Sequence, residues 1–171
     1  LNGFTITKGN AVPFSPQFIN GFAIKAEEGG AIHLNTASPA IVNCIIRDNY
    51  AIFGSGIHTY NLAATLNIDS CTFLNNKSQN LGAALKFEKG SGTGNVEVKN
   101  CNFKANISNG NGGVACIHGV PARFINCLAS GNRIGSNNQG IFHVMMNATA
   151  TFDNCTIAGN AGVSGCRAIY I

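Results

Sequence analysis

Five cysteines recur down the chain at Cys44, Cys71, Cys101, Cys127 and Cys155, separated by 27, 30, 26 and 28 residues. Each has the same surroundings. An asparagine stands five positions later, at Asn49, Asn76, Asn106, Asn132 and Asn160. A small polar residue stands immediately before, at Asn43, Ser70, Asn100, Asn126 and Asn154. Three before each cysteine is an apolar residue (Ile41, Ile68, Val98, Phe124, Phe152), and two after it another (Ile46, Phe73, Phe103, Ala129, Ile157). A repeat of about 20–50 residues that keeps several slots fixed is the signature of a solenoid, whose units bury their apolar faces only against neighbouring units.

A second block sits between the cysteines. It reads Gly29-Gly30-Ala31-Ile32-His33, Gly54-Ser55-Gly56-Ile57-His58 and Gly82-Ala83-Ala84-Leu85-Lys86, with looser copies at Gly112, Gly140 and Arg167. Within a unit, stretches such as Val96-Glu97-Val98-Lys99 and Ala150-Thr151-Phe152-Asp153 alternate apolar with polar, the period of a strand with one buried face. The parity shifts by one before each cysteine, so Phe152 and Cys155 cannot both face inward on one straight strand. A bend at the preceding Asn or Ser resolves this, because asparagine tolerates the left-handed backbone region. The expected fold is all-β: a right-handed parallel β-helix solenoid with three short strands per coil and about six coils. It takes in residues 1–171 as one unit, with a surplus at 11–28 read as a loop insertion. Ile171 stops within a first-strand block, so the natural protein is expected to be longer.

Composition agrees. Hydrophobic residues make up 45% and charged ones only 11%, a balance that excludes a disordered chain. The 24 asparagines and 21 glycines suit turns rather than long helices. A net charge of +4 without any basic run gives no nucleic-acid footprint. No apolar run approaches the ~20 residues of a membrane span.

The pairing of Gly29-Gly30-Ala31-Ile32 with Phe73-Leu74-Asn75-Asn76 and Phe103-Lys104-Ala105-Asn106 resembles the repeat of chlamydial polymorphic outer-membrane proteins. It also resembles autotransporter-passenger repeats and other right-handed β-helix proteins of the pectin-lyase-like superfamily. That resemblance implies an exported protein, secreted or outer-membrane-associated at the cell surface, and often an adhesin. The wider superfamily also includes polysaccharide lyases and hydrolases.

Three groups of residues are candidates for chemistry. The cysteines of the ladder are expected inside the coil as inert thiols, with one or two disulfides as the alternative. Parallel stacked side chains do not suit the disulfide dihedral, and no C-x-x-C supports zinc. The asparagines are expected to form a turn ladder, hydrogen-bonded from coil to coil. His33, His58 and His143 share a slot with Lys86 and Tyr170 that should face solvent, with His118 joining them if the fourth coil is shifted. Neighbouring imidazoles there could bind a ligand or metal. Asp69 is expected to pair with Lys99 one coil on, and Asp69 with Glu97 is the only carboxylate pair at a separation a glycosidase could use. No catalytic residue, cofactor or metal is assigned. The expected function is non-enzymatic: binding of a glycan or a host or cell-surface receptor, with flanking β-helix coils as neighbours. The alternatives are a fragment of a polysaccharide lyase or glycoside hydrolase, and a structural spacer.

Overall fold

A computed structural model of the chain describes residues 1–11, 17–19, 22–24, 27–135, 139–163 and 166–171, with residues 17–19 and 22–24 described by their backbone. The described residues form a parallel β-solenoid without a helix, and the coil winds about five turns. None of it is a helix long and apolar enough to cross a membrane.

Four sheets run along the coil axis. Sheet I stacks Ile32–Asn35, Ile57–Tyr60, Leu85–Glu88, Ala115–His118, Gly140–Met145 and Arg167–Tyr170. Sheet II stacks Ala40–Val42, Leu66–Asp69, Val96–Lys99, Ala122–Ile125 and Ala150–Asp153. Sheet III stacks Thr5–Thr7, Ile45–Arg47, Thr72–Leu74, Asn102–Lys104, Leu128–Ser130 and Thr156–Ala158. Sheet IV is the addition to the three strands that alternation announces. It stacks Asn10–Ala11, Tyr50–Phe53, Lys77–Leu81, Ile107–Ser108, Arg133–Ile134 and Ala161–Gly162. Its strands are mostly two residues long, too short to show a period of two.

The corners explain how one sequence unit closes a coil. Asn43, Ser70, Asn100, Asn126 and Asn154, the residues before the cysteines, all take φ between 50° and 53°. This is the bend that the parity shift requires, and it lies between sheets II and III. Five residues later a second left-handed corner separates sheets III and IV, at Asp48, Asn75, Ala105, Gly131 and Gly159. A third, at Gly29, Gly54, Gly82 and Gly112, leads into sheet I. Ala105 is the anomaly in the second set, since it holds φ 53° without a side chain that can hydrogen-bond locally. Left-handed backbone is strained by about 1–2 kcal/mol for such a residue, and glycine relieves that strain while adding freedom to the unfolded chain. Ala105→Gly is therefore expected to raise stability by about 0.5–1 kcal/mol, measured as a higher urea midpoint; an unchanged or lower midpoint would refute the strain.

The core is a set of ladders. Ile41, Ile68, Val98, Phe124 and Phe152 point inward from sheet II, and Ile46, Phe73, Phe103, Ala129 and Ile157 from sheet III. Phe73 and Phe103 stack with centroids 4.9 Å apart and planes 15° from parallel, and Phe124 stacks on Phe152 at 5.2 Å. Where sheet III shrinks to Ala129, sheet II supplies the larger Phe124 in the same coil, so the interior stays filled.

The asparagine ladder lies just inside the second corner. Each side-chain Nδ2 donates to the Oδ1 of the next coil's asparagine: Asn49 to Asn76 at 2.9 Å, Asn76 to Asn106 at 3.0 Å, Asn106 to Asn132 at 2.9 Å and Asn132 to Asn160 at 2.9 Å. That Oδ1 also accepts the backbone N–H of the preceding asparagine, and Nδ2 donates a second time to a sheet III carbonyl such as Phe73 O. Cys44, Cys71, Cys101 and Cys127 are buried and Cys155 is half-buried, and each thiol donates to the carbonyl two residues before it. All seven cysteines are unpaired. The neighbouring thiols of Cys127 and Cys71, together with burial, hold the Cys101 thiol above its ordinary range.

Half of the surplus at 11–28 lies outside the described residues. Within it, Gln17–Ile19 pairs antiparallel with Phe22–Ile24. The chain returns to the coil at Glu28, which bridges to Phe53.

Candidate functional site

The outward slot of sheet I runs His33, His58, Lys86, Cys116, His143 and Tyr170, one residue per coil. Cys116 fills the fourth coil's place, and His118 sits two positions further, beside Glu88 and Met145. Alternation alone puts this slot in solvent. The structure corrects that: His58 is 0%, Lys86 5% and His143 4% exposed, and only His33 is open.

The third corner and a rung on either side together cover the inner positions; His33, in the edge strand with a rung on one side only, keeps the corner yet stays open. The chain entering sheet I folds back against its outward face, and a Cβ on Gly54 would meet the His58 Cβ at 2.9 Å. A Cβ on Gly29 would meet His33 Cβ at 2.8 Å. Glycine at these corners lets backbone lie over the first outward side chain, and in the inner coils, flanked on both sides, the row is sunken. Phe53 adds cover, with the Lys86 ammonium 5.4 Å from its ring centroid.

Sinking polar side chains requires that they be partnered. Lys86 Nζ donates to Glu88 Oε2. Glu88 also faces His58, whose Nε2 lies 3.5 Å from the same oxygen, a charge–dipole contact rather than a short hydrogen bond. The His58 imidazole first, and then the Lys86 ammonium, hold the Glu88 carboxyl down to about 2. On the other side of His58, its Nδ1 lies 3.1 Å from His33 Nδ1 and 3.5 Å from Glu28 Oε2. The two rings are stacked with centroids 5.1 Å apart. Further along the row, burial lowers the pKa of His143 and pushes the Cys116 thiol up to about 11. His143 rests edge-on against Tyr170.

Beside the row, on the side of Glu88, lies a cavity of about 250 Å³ lined by Glu88, Lys89, Gly90, His118, Gly119 and Met146. Its walls mix a carboxylate, an ammonium and an imidazole with the exposed apolar side chain of Met146, and its two glycines leave backbone accessible.

The structure thus brings His33 and His58 together and leaves His143 three coils away in the same row. Sequence reasoning missed Glu28 and Glu88. Glu88 could have been found, since it stands two residues after Lys86 on the same strand face. Glu28 is placed by the end of the 11–28 surplus, which has no counterpart in other coils.

The acids of sheets II and III are otherwise engaged. Lys99 is the register partner of Asp69, but its Nζ turns to Glu97 Oε1 on its own strand at 2.8 Å, a correction to the expected cross-coil pair. Asp69 accepts from the Asn100 amide at 2.9 Å and from Ser70 at 3.0 Å, and its carboxyl is held below the usual range mainly by that Asn100 bond.

No known protein family, no curated protein and no solved structure matches the chain in comparisons by sequence and by fold.

Proposed function

We propose that this chain is a non-enzymatic binding module of an exported β-helix protein, secreted or displayed at the cell surface, that takes a glycan or a carbohydrate-bearing receptor. The observation that carries the reading is the cavity between Glu88 and Met146, beside the sunken polar row of sheet I. Charged and imidazole groups there can exchange hydrogen bonds with hydroxyls, while Met146 offers an apolar patch to the face of a sugar ring. At about 250 Å³ the cavity is slightly smaller than drug-sized pockets, which begin near ~300 Å³, and suits one sugar residue or the end of a longer chain. The exported setting rests on the resemblance of the Gly-Gly-Ala-Ile and Phe-x-x-Asn motifs.

Polysaccharide cleavage is less well supported. A general acid needs a raised carboxyl pKa, whereas the two carboxyls with resolved shifts, Asp69 and Glu88, both move down. Between Glu28 and Glu88, where a glycosidic bond would have to lie, stands the buried His58 ring.

The test is retention on an array of neutral and acidic glycans and on intact cells. The chain is expected to bind a defined subset, and Lys89→Glu and Met146→Ser are each expected to weaken it at least about tenfold, the equivalent of about 1.4 kcal/mol, without changing the melting temperature. Wild-type chain that is retained by no glycan and no cell surface overturns the reading; so does release of sugar products.

A further inference from the structure

We infer that Glu28, His33 and His58 form a binding site for a divalent cation of the zinc type. Its three ligands lie on the opposite side of His58 from the cavity, and it shares only Glu88 with the glycan reading.

Three electron-rich atoms converge there. His33 Nδ1 and His58 Nδ1 are 3.1 Å apart, and Glu28 Oε2 lies 3.9 Å from the first and 3.5 Å from the second. The point equidistant from all three lies about 2 Å from each, which is the length of a Zn–N or Zn–O bond. Among the described residues this is the one group of three His, Cys, Asp or Glu side chains with ligand atoms so close together. Two imidazole nitrogens at 3.1 Å are joined either by the N–H of one ring donating to the other or by a metal ion between them.

Three observations favour the metal. His58 is fully buried, so its ring is held in place by packing before any ion arrives. Its far nitrogen, Nε2, faces the Glu88 carboxylate at 3.5 Å. A carboxylate there favours the proton on Nε2 and leaves Nδ1 with its lone pair toward His33, the arrangement by which outer carboxylates orient metal-binding histidines. Glu88 is itself fixed by Lys86, so the orienting group is not free to drift. Finally, the His33 side chain is 37% exposed while those of Glu28 and His58 are 14% and 0% exposed, so an ion can enter past His33. Binding would turn the exposed His33 ring out of its 17° stack on the fixed His58 ring, by rotation about Cβ–Cγ, a soft torsion. Three protein ligands leave one position of a tetrahedral ion for water. The hard cations calcium and magnesium, which take six or more oxygens, do not fit two nitrogens and one carboxylate.

The experiment is titration of the intact chain with Zn²⁺ by calorimetry and with Co²⁺ by visible absorption. One ion per chain is expected, in the micromolar range. The Co²⁺ spectrum is expected to lack a sulfur-to-metal charge-transfer band, which separates this site from the unpaired cysteines. Glu28→Gln and His33→Ala change side chains outside the packed interior and are each expected to weaken binding at least about tenfold, as is the orienting variant Glu88→Gln. Absence of stoichiometric binding overturns the inference. So does a thiolate band, or affinity left unchanged in both Glu28→Gln and His33→Ala. Glycan retention in these two variants reads out the other proposal separately.

Discussion

Asn106→Leu is expected to destabilise the chain by about 3–5 kcal/mol, a large share of the ~5–15 kcal/mol that holds a typical domain folded. Asn106 is 0% exposed and sits at the centre of the asparagine ladder. Its Oδ1 accepts both the backbone N–H and the Nδ2 of Asn76 at 3.0 Å. Its Nδ2 donates to Asn132 Oδ1 at 2.9 Å and to Phe73 O at 3.0 Å. Leucine has a similar volume, so the loss is one of hydrogen bonding and not of packing. The Asn76 backbone N–H and one Nδ2 proton are left buried without an acceptor, each worth about 1–3 kcal/mol. Asn106→Asp should be no better: the carboxylate keeps the acceptor role but places charge against the Phe73 carbonyl and Asn132 Oδ1. The check is urea unfolding followed by circular dichroism. With a slope of about 1–3 kcal/mol per molar, the midpoint should fall by roughly 1–5 M. A fall equivalent to less than about 1 kcal/mol would mean that the ladder is ornamental.

Phe103→Ala is expected to have a comparable effect for a different reason. The ring is fully buried and stacked on Phe73, and its partner on the other side is Ala129. Removing a buried phenylalanine typically destabilises by about 3–5 kcal/mol, with the upper end where neighbours cannot collapse into the space. Ala129 has only a methyl to offer and Phe73 is held in its own rung, so the upper end applies. Ile45→Ala makes the control: it lies in the same sheet with its side chain outward and 43% exposed. It should shift stability by no more than about 0.5 kcal/mol. Equal effects at Phe103 and Ile45 would contradict the assignment of inner and outer faces.

These two residues also show what the sequence makes legible. Asn106 and Phe103 recur at fixed offsets from a cysteine, and a slot repeated five times is read by alignment of the chain with itself. The inward ladders and the left-handed bend at Asn43, Ser70, Asn100, Asn126 and Asn154 follow from such slots and from parity. Sheet IV does not, because a strand such as Ile107–Ser108 has no period to detect. The sinking of His58 was also beyond reach. It depends on backbone lying over a side chain at Gly54, and alternation records only which face a residue takes, not what later covers that face. Glu28 was hidden for a third reason: it belongs to the one coil with a surplus, where self-alignment has nothing to compare.

The corner between sheets I and II is left-handed too, at Thr36, Asn61, Gly90, Gly119 and Met146, yet the four corners divide the rod unequally. Five residues separate the first corner from the second in every complete coil, so that edge admits no insertion without losing register. Between sheets I and II the chain turns through loops of differing length, including Lys89 to Asn95 in the third coil, and these differences absorb much of the variation in spacing between the cysteines. Lys89, Gly90, Gly119 and Met146, which border the cavity, all lie along that permissive edge. The molecule therefore separates inheritance of shape from inheritance of recognition. The two corners on either side of sheet III keep a fixed spacing, while residues are added elsewhere: the 11–28 surplus enters between sheets IV and I, and the loops between sheets I and II vary beside the recess. A descendant can change what it holds without renegotiating how it folds.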